Sequence, residues 1–258
     1  MIDLHSHILP RLDDGADDLL ASLAMARAAA EDGVRTVVAT PHVSPEYPTS
    51  PRSIESAAVR VNAALEREEI PLEVLTGAEI APSQLFELDD DALRPLRLGE
   101  GPYLLVESPY TRAAGFLENQ LFELQVRGFQ VLMAHPERSP SLQGDLDRVQ
   151  ALVERGVLMS VTAGSALGLF GGTVLDHTRA LIERGLVHVI SSDGHDLRRR
   201  SPELTEGARA AATMAGDPAA LEYWTESAPR SILDGAPVSA PPVAKPSGRL
   251  RGLLRRGS

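Results

Sequence analysis

Seven short β-branched or apolar runs, separated by Ala- and Leu-rich stretches of helical period, set the main limit on what this chain can fold into. The runs are residues 2–4, 34–40, 73–76, 103–106, 130–134, 157–161 and 187–191. Between them the spacing predicts helices over 17–32, 54–68, 116–127, 147–154 and 175–183. In the first of these Leu19, Leu23, Ala26 and Ala30 share one face, and Gly33, Gly128, Gly156 and Gly185 stand where helices end. Repeated strand, helix, strand units require right-handed crossovers and a parallel sheet, either doubly wound or closed into a barrel. Period alone does not separate those two.

The ionisable residues fall in a pattern relative to the runs. His5 and His7 follow the first, His42 the second, Glu79 the third, Glu107 the fourth, His135 the fifth, and Asp193 with His195 the last. In parallel α/β folds the carboxyl ends of the strands lie on one rim, where such proteins build their sites, so these side chains are expected to converge. His5 and His7, two apart on an extended segment, point to the same face. Asp14, set before Gly15 and close to the histidine pair, joins the group as a ligand, whereas Asp17 and Asp18 read as helix-capping acids. His177 lies in a helix pattern and His188 alternates with Val187 and Val189, so both read as ordinary, partly buried histidines.

Composition narrows the chemistry. The 258 residues include no cysteine, which removes disulfides, thiolate metal sites and cysteine nucleophiles. A metal here is held by His, Asp and Glu, which suits manganese, iron or zinc. With 36 acidic residues against 25 Lys plus Arg, the formal charge of -11 argues against nucleic acid or anionic lipid as main partner. No signal-type N-terminus and no stretch of about 20 apolar residues is legible, so a cytoplasmic protein is expected. The expected domain is residues 1–236. Residues 237–258 read as a Pro-rich linker and a disordered basic tail, with weak contact to an anionic membrane as the alternative.

Taken together, Asp3-Leu4-His5-Ser6-His7-Ile8-Leu9-Pro10 with Asp13-Asp14-Gly15, Ala39-Thr40-Pro41-His42, Gly77-Ala78-Glu79-Ile80, His135-Pro136-Glu137-Arg138 and Ser192-Asp193-Gly194-His195 resemble the PHP (polymerase and histidinol phosphatase) superfamily. Within it the chain is most similar to the CpsB/CapC-type tyrosine-protein phosphatases of capsule and exopolysaccharide synthesis. The stretches 117–129 and 228–235 also fit that family. The resemblance implies a single-domain distorted (β/α)7 TIM-like barrel and a centre of three divalent metal ions, usually manganese, with iron, cobalt or zinc as alternatives. By matching position the ligands are His5, His7, Asp14, His42, Glu79, Glu107, His135, Asp193 and His195. It also implies hydrolysis of phosphotyrosine on a membrane-associated tyrosine autokinase. Val43 stands where many relatives carry a second histidine, and Gly194 where alanine is more usual.

Three divalent ions against the carboxylates of Asp14, Glu79, Glu107 and Asp193 leave a site of charge about +2, which reconciles an acidic protein with a phosphate dianion. The expected reaction is in-line attack of a metal-bridging hydroxide on phosphorus, with Asp14 and His42 among the catalytic residues. Arg138 and Arg200 are the candidates for gripping the phosphoryl oxygens, since a guanidinium matches phosphate bidentately. For the run 198–200 a solvated basic face stays open as an alternative. Two other functions also stay open: a phosphoesterase for a small phosphomonoester such as histidinol phosphate, and a non-catalytic metal-binding regulator of a kinase.

Overall fold

Runs that are apolar on both faces suit a parallel sheet packed between an inner core and an outer layer of helices. In the computed structural model, which describes residues 1–111 and 115–243, they form β1 (Ile2–Ser6), β2 (Thr36–Ala39), β3 (His42–Val43), β4 (Glu73–Thr76), β5 (Glu79–Ile80), β6 (Tyr103–Glu107), β7 (Gln130–Ala134), β8 (Leu158–Thr162) and β9 (Val189–Ser191). Every pairing between these strands is parallel. One ladder runs β1-β2-β4 and a second runs β3-β5-β6-β7-β8-β9. In sequence β3 resumes β2 after Thr40 and Pro41, and β5 resumes β4 after Gly77 and Ala78, so the strands make seven staves. The last stave returns to the first: Asp193 N donates to His5 O at 2.9 Å and His7 N to Gly194 O at 2.8 Å. This is the distorted seven-staved barrel in one domain, with its distortion at the two interrupted staves.

The helices are α1 (Leu19–Glu31), α2 (Pro51–Arg67), α3 (Asp90–Leu93), α4 (Leu117–Val126), α5 (Leu146–Glu154), α6 (Ala163–Ala166), α7 (Gly172–Glu183), α8 (Thr205–Ala215), α9 (Ala220–Glu222) and α10 (Ala228–Asp234). Asp18 caps α1 by accepting from Ala21 N at 2.9 Å. α2 begins at Pro51 rather than residue 54, because Ser50 and Ser53 form a reciprocal cap and Pro51 supplies a pre-set φ at the first position. The helices of residues 205–234 were not expected from the sequence, although Ala208, Ala211, Ala212 and Ala215 of α8 recur at helical spacing on one buried face. They are held by tertiary contacts, including the fully buried Trp224, whose indole donates to Val187 O at 2.8 Å.

Alternation within the staves separates two cores. Ile2, Leu4, Val38, Tyr103, Leu105, Leu132, Ala134, Leu158 and Val189 fill the barrel, while Val37, Ala39, Leu104, Val106, Val131, Met133, Val161 and Ile190 pack outward with the helices. The last described segment, 236–243, lies on the barrel without helix or strand: Tyr223 Oη donates to Ser239 O at 2.6 Å and Val238 packs on the inner core. The basic tail proper, 244–258, lies outside the described residues. Among the described residues no helix is long and apolar enough to cross a membrane.

Candidate metal centre

Period two along a stave carries the inward face one or two steps past the apolar layer. Counting by twos from Val38, Leu105 and Val189 reaches His42, Glu107 and Asp193 at the top of the barrel. β1 and β7 need help. The pairing of β1 with β2 slips between Asp3 and Ser6, one extra residue on β1, and a bulge of this kind re-aims the side chains that follow it. His5 therefore belongs to β1 rather than lying beyond it, and still reaches the centre with His7. His135, one residue out of step with Ala134, turns inward through a left-handed backbone, φ 36°.

The structure brings all nine candidate ligands together in four overlapping groups: His7, Asp14, His42 and His195; His5, His7 and Asp193; His5, Glu79 and His135; His42, Glu79 and Glu107. Glu79 is the hub. Its Oε1 lies 2.7 Å from His135 Nε2, and its Oε2 lies 3.2 Å from His42 Nδ1, 3.3 Å from His5 Nε2 and 3.4 Å from His7 Nε2. Asp193 Oδ1 lies 3.4 Å from His5 Nε2 and 3.5 Å from His7 Nε2, and Asp14 Oδ1 lies 3.3 Å from His195 Nε2 and 3.5 Å from His42 Nε2.

These residues fit divalent ions. Of the six buried side-chain N and O atoms without a hydrogen-bond partner among the described residues, four belong to the cluster, Glu79 Oε2, Asp193 Oδ1, His135 Nδ1 and His195 Nε2, and bound cations would offset the cost of burying them unpaired. Metal–ligand bonds of about 2.1 Å place neighbouring ligand atoms about 3.0–3.5 Å apart, the spacing seen around Glu79 and Asp193. Two histidines are also set in the right tautomer. Asp13 Oδ2 accepts from His7 Nδ1 at 2.6 Å and Asp193 O from His195 Nδ1 at 2.8 Å, leaving each Nε2 lone pair for the centre.

At Glu79, Asp193, Asp14, His42, His135 and His195 the electrostatics favour the protonation states that bind a cation. Burial pushes the Glu79 and Asp193 carboxyls up, but the histidines around them, and Arg138 beside Asp193, hold both well below the usual range. His195, and behind it His42 and His7, lower Asp14 as well. Burial pulls the His42 and His195 imidazoles down, and burial with Arg138 takes His135 down to about 4, so these rings are neutral. His7 is opposite in sign: burial disfavours its charge, yet Asp13, Asp193 and Glu79 together raise it well above normal. Burial and the neighbouring Glu79 push Glu107 up to about 8.

Both candidate arginines face the cluster. Arg138 Nη1 donates to Asp193 Oδ2 and its Nη2 to Tyr110 Oη at 2.6 Å. Arg200 Nη2 donates to Asp14 Oδ2 at 3.0 Å, and its Nη1 lies 3.4 Å from Asp193 Oδ2. The run 198–200 divides: Arg198 and Arg199 are exposed, while Arg200 turns inward because its carbonyl accepts from His195 N and Asp196 N. His177 and His188 lie outside the cluster, both buried, with His188 Nδ1 accepting from Met159 N at 3.2 Å.

Four contributors escaped the sequence reading. Asp13, quoted in the Asp-Asp-Gly motif but given no role, holds His7 and accepts from His42 N at 2.9 Å; the doubled acid before Gly15 was its signal. Glu137, buried inside the His-Pro-Glu-Arg motif, accepts from Ser165 Oγ and Thr162 N. Tyr110 and Phe170 flank Arg138, their ring centroids 5.7 and 4.7 Å from its Cζ, and nothing in their spacing marks them.

A parallel α/β barrel with His and carboxylate ligands gathered at the carboxyl ends of its strands is the architecture of a metal-dependent hydrolase. Residues 1–233 match the family "Capsular polysaccharide synthesis, CpsB/CapC", and the chain belongs to it. It is 38% identical over 202 residues to tyrosine-protein phosphatase YwqE of Bacillus subtilis (strain 168), across 78% of this chain and 80% of that protein. Against tyrosine-protein phosphatase CpsB of Streptococcus pneumoniae it is 28% identical over 246 residues, covering 91% and 99%. Among solved structures, one of a pair described as YwqE from Bacillus subtilis and CpsB from Streptococcus pneumoniae, unique metal-dependent tyrosine phosphatases, superposes with a TM-score of 0.84 at 32% identity, over 96% of this chain and 100% of that one. The phosphotriesterase from Mycobacterium tuberculosis, at 13% identity, TM-score 0.56 and coverage of 91% and 93%, shares the fold.

Proposed function

We propose that this chain is a metal-dependent protein-tyrosine phosphatase whose substrate is a phosphotyrosine on a membrane-associated tyrosine autokinase of polysaccharide synthesis, met from the cytoplasm. The observation that carries the reading is the convergence of Arg138 and Arg200 on Asp193, beside buried ligand atoms that lack partners. His5, His7, Asp14, His42, Glu79, Glu107, His135, Asp193 and His195 are assigned as the ligands of three divalent ions, manganese first and iron, cobalt or zinc as alternatives. Such ions supply a water of lowered pKa as nucleophile and neutralise charge on the phosphoryl group.

The chain's own residues do the rest. Arg138 and Arg200, paired with carboxylates in the free protein, offer their remaining N–H groups to the phosphoryl oxygens in the bidentate geometry that suits guanidinium. Asp13 and the carbonyl of Asp193 keep His7 and His195 oriented. The leaving tyrosinate, with a pKa of about 10, departs without a strong general acid. Metal analysis of protein purified without chelator, paired with turnover of a phosphotyrosine peptide against histidinol phosphate, tests the reading. Preference for histidinol phosphate overturns the protein-phosphatase assignment, and no turnover with manganese, iron, cobalt or zinc makes the chain a binding regulator.

A further inference from the structure

The loop between α6 and α7 is unlike an ordinary surface connection. Residues 167–171 read Leu-Gly-Leu-Phe-Gly, and Leu167 and Leu169 are 41% and 66% exposed, in a place where loops usually carry polar side chains. The loop is nonetheless built to hold one shape. Leu169 N donates to Gly164 O at 3.0 Å, Gly171 N to Gly168 O at 3.0 Å, and behind them Glu137 fastens Ser165 and Thr162. Gly168 and Gly171 supply the positive φ values, 77° and 91°, that close it.

Phe170 stands between the candidate phosphate-gripping arginine and an open space. On one side is the Arg138 guanidinium, 4.7 Å from its ring centroid. It also borders a cavity of about 380 Å³, lined by Leu167, Leu169 and Phe170 of the loop and elsewhere by a mixed-charge set in which Arg199, Arg200 and Arg209 stand with Asp32, Glu203 and Glu206. Arg200 reaches Asp193 and Asp14, so the cavity adjoins the metal-ligand cluster. A space of this size with Leu167, Leu169 and Phe170 on its loop wall suits the aromatic body of a ligand whose anionic end lies beyond the cavity, where Arg200 and Arg138 reach Asp193.

We propose that this cavity is the subsite for the aryl group of the substrate and that Phe170, with Leu169 beside it, determines specificity for aryl over alkyl phosphates. The proposal rests on the phosphatase reading above for its substrate. The phosphoryl group meets Arg138 and Arg200 while the ring lies against Phe170. A phosphoserine side chain, shorter and without a ring, leaves that wall bare.

Two inert ligands that differ only in the group on phosphorus separate ring recognition from phosphate recognition. Binding of phenylphosphonate and methylphosphonate to the manganese-loaded full chain, measured by calorimetry, is expected to favour the phenyl compound about tenfold. In Phe170→Ala that ratio falls toward one while the Kd for methylphosphonate changes less than twofold, and Phe170→Tyr restores the preference. Leu169→Ala, at an exposed position that cannot unfold the barrel, lowers the ratio about threefold. A ratio unchanged in both alanine variants overturns the subsite, as does equal weakening of both ligands, which would mean that Phe170 acts only by holding Arg138. Wild-type protein that fails to hydrolyse a phosphotyrosine peptide overturns the phosphatase reading separately, and these binding ratios still judge the cavity.

Discussion

One carboxylate oxygen of Asp13 accepts from His7 Nδ1 and from His42 N, and the other accepts from Gly15 N. A single side chain therefore sets the orientation of two candidate ligands and the turn that presents Asp14. Asp13→Asn keeps the shape but offers an amide where an acceptor is needed. It is expected to lower manganese affinity about 10- to 100-fold, read by calorimetric titration, and an affinity equal to the wild type's would remove Asp13 from this role. The backbone contributes in the same way. Among the described residues only Arg11, Glu69, His135 and Asp193 combine a side chain beyond glycine with positive φ. Two of the four are candidate ligands, where strain of about 1–3 kcal/mol each is tolerated because the surrounding bonds over-determine the conformation.

The helices show where pattern suffices and where it does not. α1, α2 and α5 emerge from period and from caps written within a few residues, and α7 from period alone, since Gly171 at its start supplies no side-chain cap. α8 has no cap of its own. Leu204 N and Thr205 N donate instead to Asp32 Oδ2, at 2.7 and 2.8 Å, from the end of α1. No sequence window contains both partners. Asp32→Ala is expected to cost about 1 kcal/mol, seen as a fall in Tm of roughly 2–4 °C; an unchanged Tm would show that water caps α8 equally well. α8 also approaches α6 so closely that a Cβ on Gly207 would come 2.4 Å from Ala163 O.

At the level of the whole molecule, stability and activity share the ligand cluster. Ions that bind the folded chain stabilise it, by about 2.7 kcal/mol at a free concentration a hundred times Kd. Chelation is expected to abolish phosphatase activity and lower Tm by roughly 5 °C or more, whereas thiol alkylation changes neither, because the chain has no cysteine. A chelated protein with unchanged melting and turnover would refute the metal centre. The acid limb of stability draws on His188, which burial holds at about 4. Its ring stays neutral in the fold while the unfolded chain binds a proton near pH 6.5. Its contribution is thus complete above pH 6.5 and lost as pH falls toward 4, about 3 kcal/mol in all. Urea unfolding of wild type and His188→Asn across that range should show the wild type losing more stability, and parallel curves would exclude His188 as the cause.

The seven staves, the placement of His, Asp and Glu after them, and the family itself were legible in the chain, because strand alternation and the strand-to-rim rule act over a few residues. The bulge that turns His5 inward, the left-handed turn at His135, the capping of α8 by Asp32 and the meeting of Phe170 with Arg138 were not. Each joins segments far apart in sequence or departs from ideal period, and such contacts exist only once the barrel closes and brings its rim loops within a few ångströms of one another.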